Sequence, residues 1–97
     1  MGRLRFRPEV ADDLQEAWRW YEARRLGLGD AFLEAIAHCN TAIEAQPHLF
    51  EAVHKSVRRA LVGQFPYAVF FVIVEDRIEV LAVLHVRRAP DTWRART

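Results

Sequence analysis

At 97 residues and 52% hydrophobic content, the chain can bury one modest core and has no room for a second, so a single domain over residues 1–97 is expected. It has no run of about eighteen apolar residues and no apolar leader at its start, which argues against a membrane partner and for a cytoplasmic protein. The net charge of +1 conceals an asymmetry, because residues 1–54 carry six basic and nine acidic side chains while residues 55–97 carry eight and four; a cationic second half attracts an anionic partner, either nucleic acid or an acidic protein segment.

In chain order, Leu4 and Phe6 alternate with Arg3, Arg5 and Arg7 as a short strand. Val10, Leu14, Ala17, Trp18 and Tyr21 then recur at helical spacing, with Asp12, Asp13, Gln15, Glu16 and Arg19 largely on the opposite side. Pro8 suits the first turn of that helix, and Glu9, Asp12 and Asp13 complement the positive end of its dipole. Gly27 and Gly29 mark a tight connection. Phe32, Leu33, Ile36, Cys39 and Ile43 continue a second helix until Pro47 ends it, which makes a helical hairpin. Val57-Arg58-Arg59-Ala60-Leu61 begins the sheet region. Two apolar runs follow, residues 65–74, opened by Phe65-Pro66-Tyr67, and 78–84, separated by Glu75-Asp76-Arg77 as a hairpin turn. Neither run alternates cleanly, so both faces of these strands should be covered. The expected fold is α+β, in the order β-α-α-β-β-β, with the N-terminal helical hairpin packed on a small twisted antiparallel sheet; the first strand joins an edge or pairs with a later strand.

Candidate chemistry is sparse. Cys39 lies on the apolar side of its helix without a histidine at a spacing that would activate it, so a buried, inert thiol is the plainer reading. His38, His48, His54 and His85 show no metal-ligand spacing, and neither a metal nor another cofactor is expected. Arg58, Arg59, Arg87 and Arg88 stand at strand margins, where arginines either guard the edges or meet an anion. Trp93 near the chain end either folds back to cap the sheet or offers an anchor to a partner.

Taken as an ordered set, these segments resemble the RelE/ParE superfamily of toxins from bacterial type II toxin-antitoxin systems, and the likeness covers nearly the whole chain. It is carried by Leu4-Arg5-Phe6 running into Pro8-Glu9-Val10-Ala11-Asp12-Asp13-Leu14, by Trp20-Tyr21-Glu22, by the Gly27-Leu28-Gly29 break with Phe32-Leu33, and by Pro47. It continues through Arg58-Arg59-Ala60-Leu61, Phe65-Pro66-Tyr67-Ala68-Val69-Phe70-Phe71, Glu75-Asp76-Arg77, and Val80-Leu81-Ala82-Val83-Leu84-His85 leading to Arg87-Arg88. The resemblance implies a compact toxin, encoded beside a cognate antitoxin that is ParD-like or of another family, with which it forms a hetero-oligomer.

Two activities occur in that superfamily. RelE-like members cut messenger RNA on the ribosome, and the catalytic candidates on that reading are Arg58, Arg59, Arg87 and Arg88, with Trp93 where a tyrosine is expected and Ala68 where another arginine is common. Arginine is a poor proton acceptor and tryptophan is neither acid nor base, so the set is incomplete. Lys55 and His54 could stand in for the base, although both read more plainly as loop residues. ParE-like members inhibit DNA gyrase, and this implies a target-binding surface made of Arg58, Arg59, Arg87, Arg88, Trp93 and Arg94. The incomplete catalytic set places gyrase inhibition ahead of RNA cleavage and leans against an enzyme; a non-toxic binding module is the third alternative. Trp18 and Trp20, two positions apart and so on different helix faces, are the antitoxin-binding candidates.

Overall fold

The computed structural model describes residues 3–96. The chain runs through β1 (Leu4–Phe6), α1 (Pro8–Arg24), α2 (Leu28–Ala45), a single 3-10 turn at Pro47–Leu49, β2 (Glu51–His54), β3 (Val57–Leu61), β4 (Tyr67–Val74), β5 (Arg77–His85) and α3 (Ala89–Ala95). Two elements go beyond the sequence reading: the edge strand β2 and the closing helix α3. No helix among the described residues is long and apolar enough to cross a membrane.

The helical hairpin is built on Val10, Ala17 and Tyr21 of α1 and Phe32, Ile36, Cys39 and Ile43 of α2, all buried. Gly27 takes a left-handed conformation at the connection, with φ 90°. Glu22 caps the start of α2, its carboxylate accepting the Gly27 and Gly29 amides at 2.8 Å each. This side-chain acceptor satisfies two amides that the first turn of a helix would otherwise leave unpaired. Trp18 donates its indole N–H to Asp30 at 3.0 Å across the same junction. A methyl group on Gly29 would fall 2.7 Å from the Trp18 ring and 2.9 Å from the Glu22 carboxylate. Gly29→Ala is therefore expected to destabilise the fold by about 1–2 kcal/mol, the overpacking cost outweighing alanine's better helix propensity. A urea titration measures it, and an unchanged midpoint would show that the indole can move aside.

The five-stranded sheet has the order β1-β5-β4-β3-β2. The three hairpin-linked pairs are antiparallel, whereas β1 sits at the edge and runs parallel to β5, with Leu4, Arg5 and Phe6 opposite Ile78, Glu79 and Val80. The sheet is thus mixed: β1 joins an edge and pairs with the last strand, running the same way so that the chain can turn straight into α1. Its entry is fixed by Arg3, whose amide and guanidinium both bond to Glu44 at the end of α2, at 3.0 and 2.9 Å.

A bulge explains why the last strand does not alternate. Phe71 lies opposite Val80 and Phe70 opposite Ala82, so Leu81 is the extra residue. The bulge lets Leu81 and Ala82 share one face, while Ile78, Val80 and Val83 face the other. Both faces are covered, as the unbroken apolar runs imply. The helical hairpin seals the first face over Ala60, Val69, Phe71, Val80 and Val83. It adds a cluster of rings in which Tyr21, Phe32, Phe65 and Tyr67 meet at centroid distances of 5.0–5.9 Å; such pairs add about 0.5–1.5 kcal/mol each beyond area burial. On the second face Val57, Ala68, Phe70, Leu81, Ala82 and Leu84 are closed over by Trp93 of α3.

Candidate functional site

The four arginines of the sheet margins do not converge. Arg58 and Arg59 are neighbours on β3, so their side chains leave opposite faces of the sheet. The Arg58 guanidinium donates to the Phe50 carbonyl at 2.6 Å and to the His48 carbonyl at 3.4 Å. It thereby pins the 3-10 turn where the chain leaves α2. Arg59 pairs across the ladder with Glu51 of β2 at 3.1 Å, an exposed contact that contributes little stability. Arg87 and Arg88 lie exposed in the turn after β5. That turn is shaped by His85, whose Nδ1 accepts the Arg87 amide at 3.1 Å and whose carbonyl accepts the Arg88 amide at 2.9 Å. Neither of their guanidiniums makes a hydrogen bond or ion pair with the other described residues.

Trp93 folds back on the sheet. It is only 3% exposed, stacks on Phe70 with ring centroids 5.6 Å apart and 23° between planes, and meets the His54 ring at 5.5 Å. Arg94 lies over the outer side, its guanidinium carbon 5.4 Å from the Trp93 centroid. Ala68 is completely buried beneath this stack. Lys55 is exposed in a left-handed turn, φ 52°. The second face of the sheet is thus an apolar stack rimmed by the His54 ring and the Arg94 guanidinium.

Cys39 is buried with its thiol near the Ala60 and Leu61 carbonyls, 3.8 and 3.7 Å away. Burial pushes the thiol from its ordinary 9.0 up to about 11, so it stays protonated and unreactive at neutral pH. Because the folded value lies above the unfolded one, its contribution to stability is complete below pH about 9 and is lost as pH rises toward 11. Thiol-reactive reagents at pH 8 are expected to label native protein at least about tenfold more slowly than urea-unfolded protein. Equal rates would contradict burial.

Trp18 and Trp20 separate as their spacing requires: Trp18 is half-buried and tied to Asp30, whereas Trp20 is 52% exposed. Arg24 lies over the Trp20 ring at 4.0 Å. The sequence reading missed Arg96 altogether and set Asp13 on the polar side of α1. Asp13 is instead buried, accepting a bidentate bond from Arg96 at 2.7 and 3.1 Å and the Val83 amide at 3.0 Å. Arg96 also donates to the Leu81 carbonyl at 3.1 Å. This ties α3 to α1 across the edge of β5 just beyond the point where β1 stops pairing.

A helical hairpin laid on a sheet whose last strand returns beside the first is a shape with relatives. The model for the ParE toxin of the type II toxin-antitoxin system, parDE, matches residues 4–90. The chain belongs to the ParE toxin family. Among solved structures, it is similar to a chain from the chromosomal ParDE TA system of P. aeruginosa. That match has a TM-score of 0.76 over 86% of this chain and 94% of that one, at 15% identity; at such identity the likeness is one of fold. No curated protein matches the sequence. The ParE-family match ends at residue 90, so Trp93, Arg94 and Arg96 lie outside it and their roles rest on this chain's own geometry.

Proposed function

We propose that this ParE-family chain is a growth-arresting cytoplasmic toxin, of the kind that stabilises plasmids, which inhibits DNA gyrase and is held inactive by a cognate antitoxin, ParD-like or of another family. The observation that carries the reading is the apolar stack of Trp93, Phe70 and Ala68 on the second face of the sheet. It fills the place that an RNA-cleaving member would devote to proton transfer. Arg58 and Arg59 already have structural partners, so the target-binding role falls first to the exposed Arg87 and Arg88, with Arg94 over Trp93 a second candidate contact on the other face of the sheet. Arginine suits such a surface because its planar fork makes paired bonds to carboxylate or phosphate. The antitoxin is assigned to the outer side of the helical hairpin. There Trp20 is 52% exposed, and the apolar side of an amphipathic segment would cover it.

Inducing the protein alone in a bacterial host, with an SOS reporter and messenger RNA integrity read in parallel, tests this. Growth arrest with DNA breakage and intact transcripts is the expected result. Translation-dependent cleavage of transcripts would overturn it in favour of RNA cleavage, and unimpeded growth with folded protein present would leave a non-toxic binding module. In a supercoiling assay with purified gyrase, Arg87→Ala combined with Arg88→Ala is expected to raise the half-inhibitory concentration by about tenfold or more.

A further inference from the structure

Between the exposed side of α1 and the ends of β4 and β5 lies a cavity of about 300 Å³, lined by Glu16, Trp20, Tyr21, Tyr67, His85 and Arg88. Four rings make a continuous wall: Trp20 meets Tyr21 edge-on at 5.0 Å, Tyr21 meets Tyr67 at 5.9 Å, and Tyr67 meets His85 at 5.5 Å. Arg24 over the Trp20 ring helps hold that indole upright. The polar groups of this wall are unspent. Among the described residues the Glu16 carboxylate, the Tyr67 hydroxyl and the Arg88 guanidinium make no hydrogen bond or ion pair. His85 uses Nδ1 as an acceptor from the Arg87 amide, which leaves its Nε2 carrying the proton in the neutral ring. Both charges bear on the Tyr67 hydroxyl: burial raises its pKa, Arg88 opposes the rise and Glu16 adds to it.

This set of groups selects a ligand. Aromatic walls ask for a planar ring. Glu16 disfavours a bare anion and Arg88 a bare cation, so the ligand must bring hydrogen-bond donors to one and negative charge to the other. A guanine nucleotide does both. Its N1–H and exocyclic amine present two adjacent donors that a carboxylate accepts together, and its phosphate suits a guanidinium. Adenine offers an acceptor where guanine offers N1–H, so it leaves the carboxylate opposed by a lone pair.

We infer that the Glu16–Trp20–Tyr67–His85–Arg88 cavity is a guanine-nucleotide site, which accepts either a free nucleotide or a guanine in single-stranded nucleic acid. It lies away from the Trp93 face but shares Arg88 with the proposed target surface and Trp20 with the proposed antitoxin surface; its test reads nucleotide binding directly, so its failure and that of the gyrase reading are distinguishable.

Calorimetric titration of the full chain with GMP, AMP, inorganic phosphate, L-tryptophan and single-stranded oligonucleotides ending in G or A tests the site. GMP is expected to bind saturably, at about 10–500 µM, and about tenfold more tightly than AMP. Glu16→Gln should abolish the preference for GMP over AMP, and Arg88→Ala should weaken GMP about tenfold while leaving guanosine unchanged. Both residues are exposed, so the variants should keep the wild-type circular dichroism and unfolding midpoint. GMP binding as tightly as the G-ended oligonucleotide supports a free nucleotide, and a much tighter oligonucleotide supports a strand end. The inference is overturned if folded protein shows no GMP binding to 5 mM, if GMP and AMP bind alike, if phosphate alone accounts for the affinity, or if L-tryptophan binds more tightly than GMP and marks the cavity as a peptide side-chain site.

Discussion

Replacing Trp93 by alanine is expected to cost about 3–5 kcal/mol, the range for emptying a large aromatic side chain from a core. Trp93 provides the cover that α3 lays over Phe70, Leu81, Ala82 and Leu84. Without it the second face of the sheet becomes an open apolar patch, and the protein should bind a hydrophobic dye and aggregate below its unfolding midpoint. Trp93→Phe retains the stack on Phe70 and should cost about 1–2 kcal/mol. The pair also tests the proposed division of labour on this surface. If Trp93 acts only by covering the sheet and carrying Arg94, the phenylalanine variant should inhibit gyrase nearly as well as the parent, per folded molecule. A phenylalanine variant that is fully folded but inactive would mean that the indole itself touches the target.

The helical hairpin and the three long strands were legible because each repeats its apolar spacing over at least one full turn or several residue pairs. Val10, Ala17 and Tyr21 mark one face of α1, and Phe32, Ile36, Cys39 and Ile43 one face of α2. The strand β2 was not legible, since Glu51-Ala52-Val53-His54 contains one β-branched residue and no alternation; it is a strand because the Lys55 turn folds it onto β3. Helix α3 was equally quiet. Among its described side chains only Trp93 is buried, and one residue has no period. The direction of β1 depends on where α1 must start, a tertiary constraint that three residues cannot express. At the functional surface, the residue types were readable but their distribution was not. Arg58 and Arg59 look like one basic cluster in sequence, and the strand's period of two sends them to opposite faces. Glu16 and Arg88 come together only because α1 lies across the ends of β4 and β5.

The burial of Asp13 leads to the second large effect. Asp13→Ala is expected to cost about 3 kcal/mol, because it leaves the Val83 amide unpaired and strips Arg96 of its bidentate partner in a mostly buried setting. Arg96→Ala should cost a comparable amount, about 2–4 kcal/mol: it leaves the Asp13 carboxylate, the more buried partner with its side chain 7% accessible against 16% for Arg96, with the Val83 amide but no counter-ion. Asp13→Asn keeps an oxygen for the Val83 amide and loses only the charge, and should cost less than either alanine change. The same network keeps β5 from acting as an open edge beyond β1, since Asp13 and Arg96 occupy backbone groups that another strand would otherwise take. In a double-mutant cycle the combined Asp13→Ala, Arg96→Ala change should fall short of the two single costs by about 1–2 kcal/mol. Amide exchange across residues 89–96 should quicken in both single variants, because the hold of α3 on α1 runs through this pair. Additive costs together with unchanged exchange would mean that Trp93 holds the closing helix alone, and that the ion pair serves only the β5 edge.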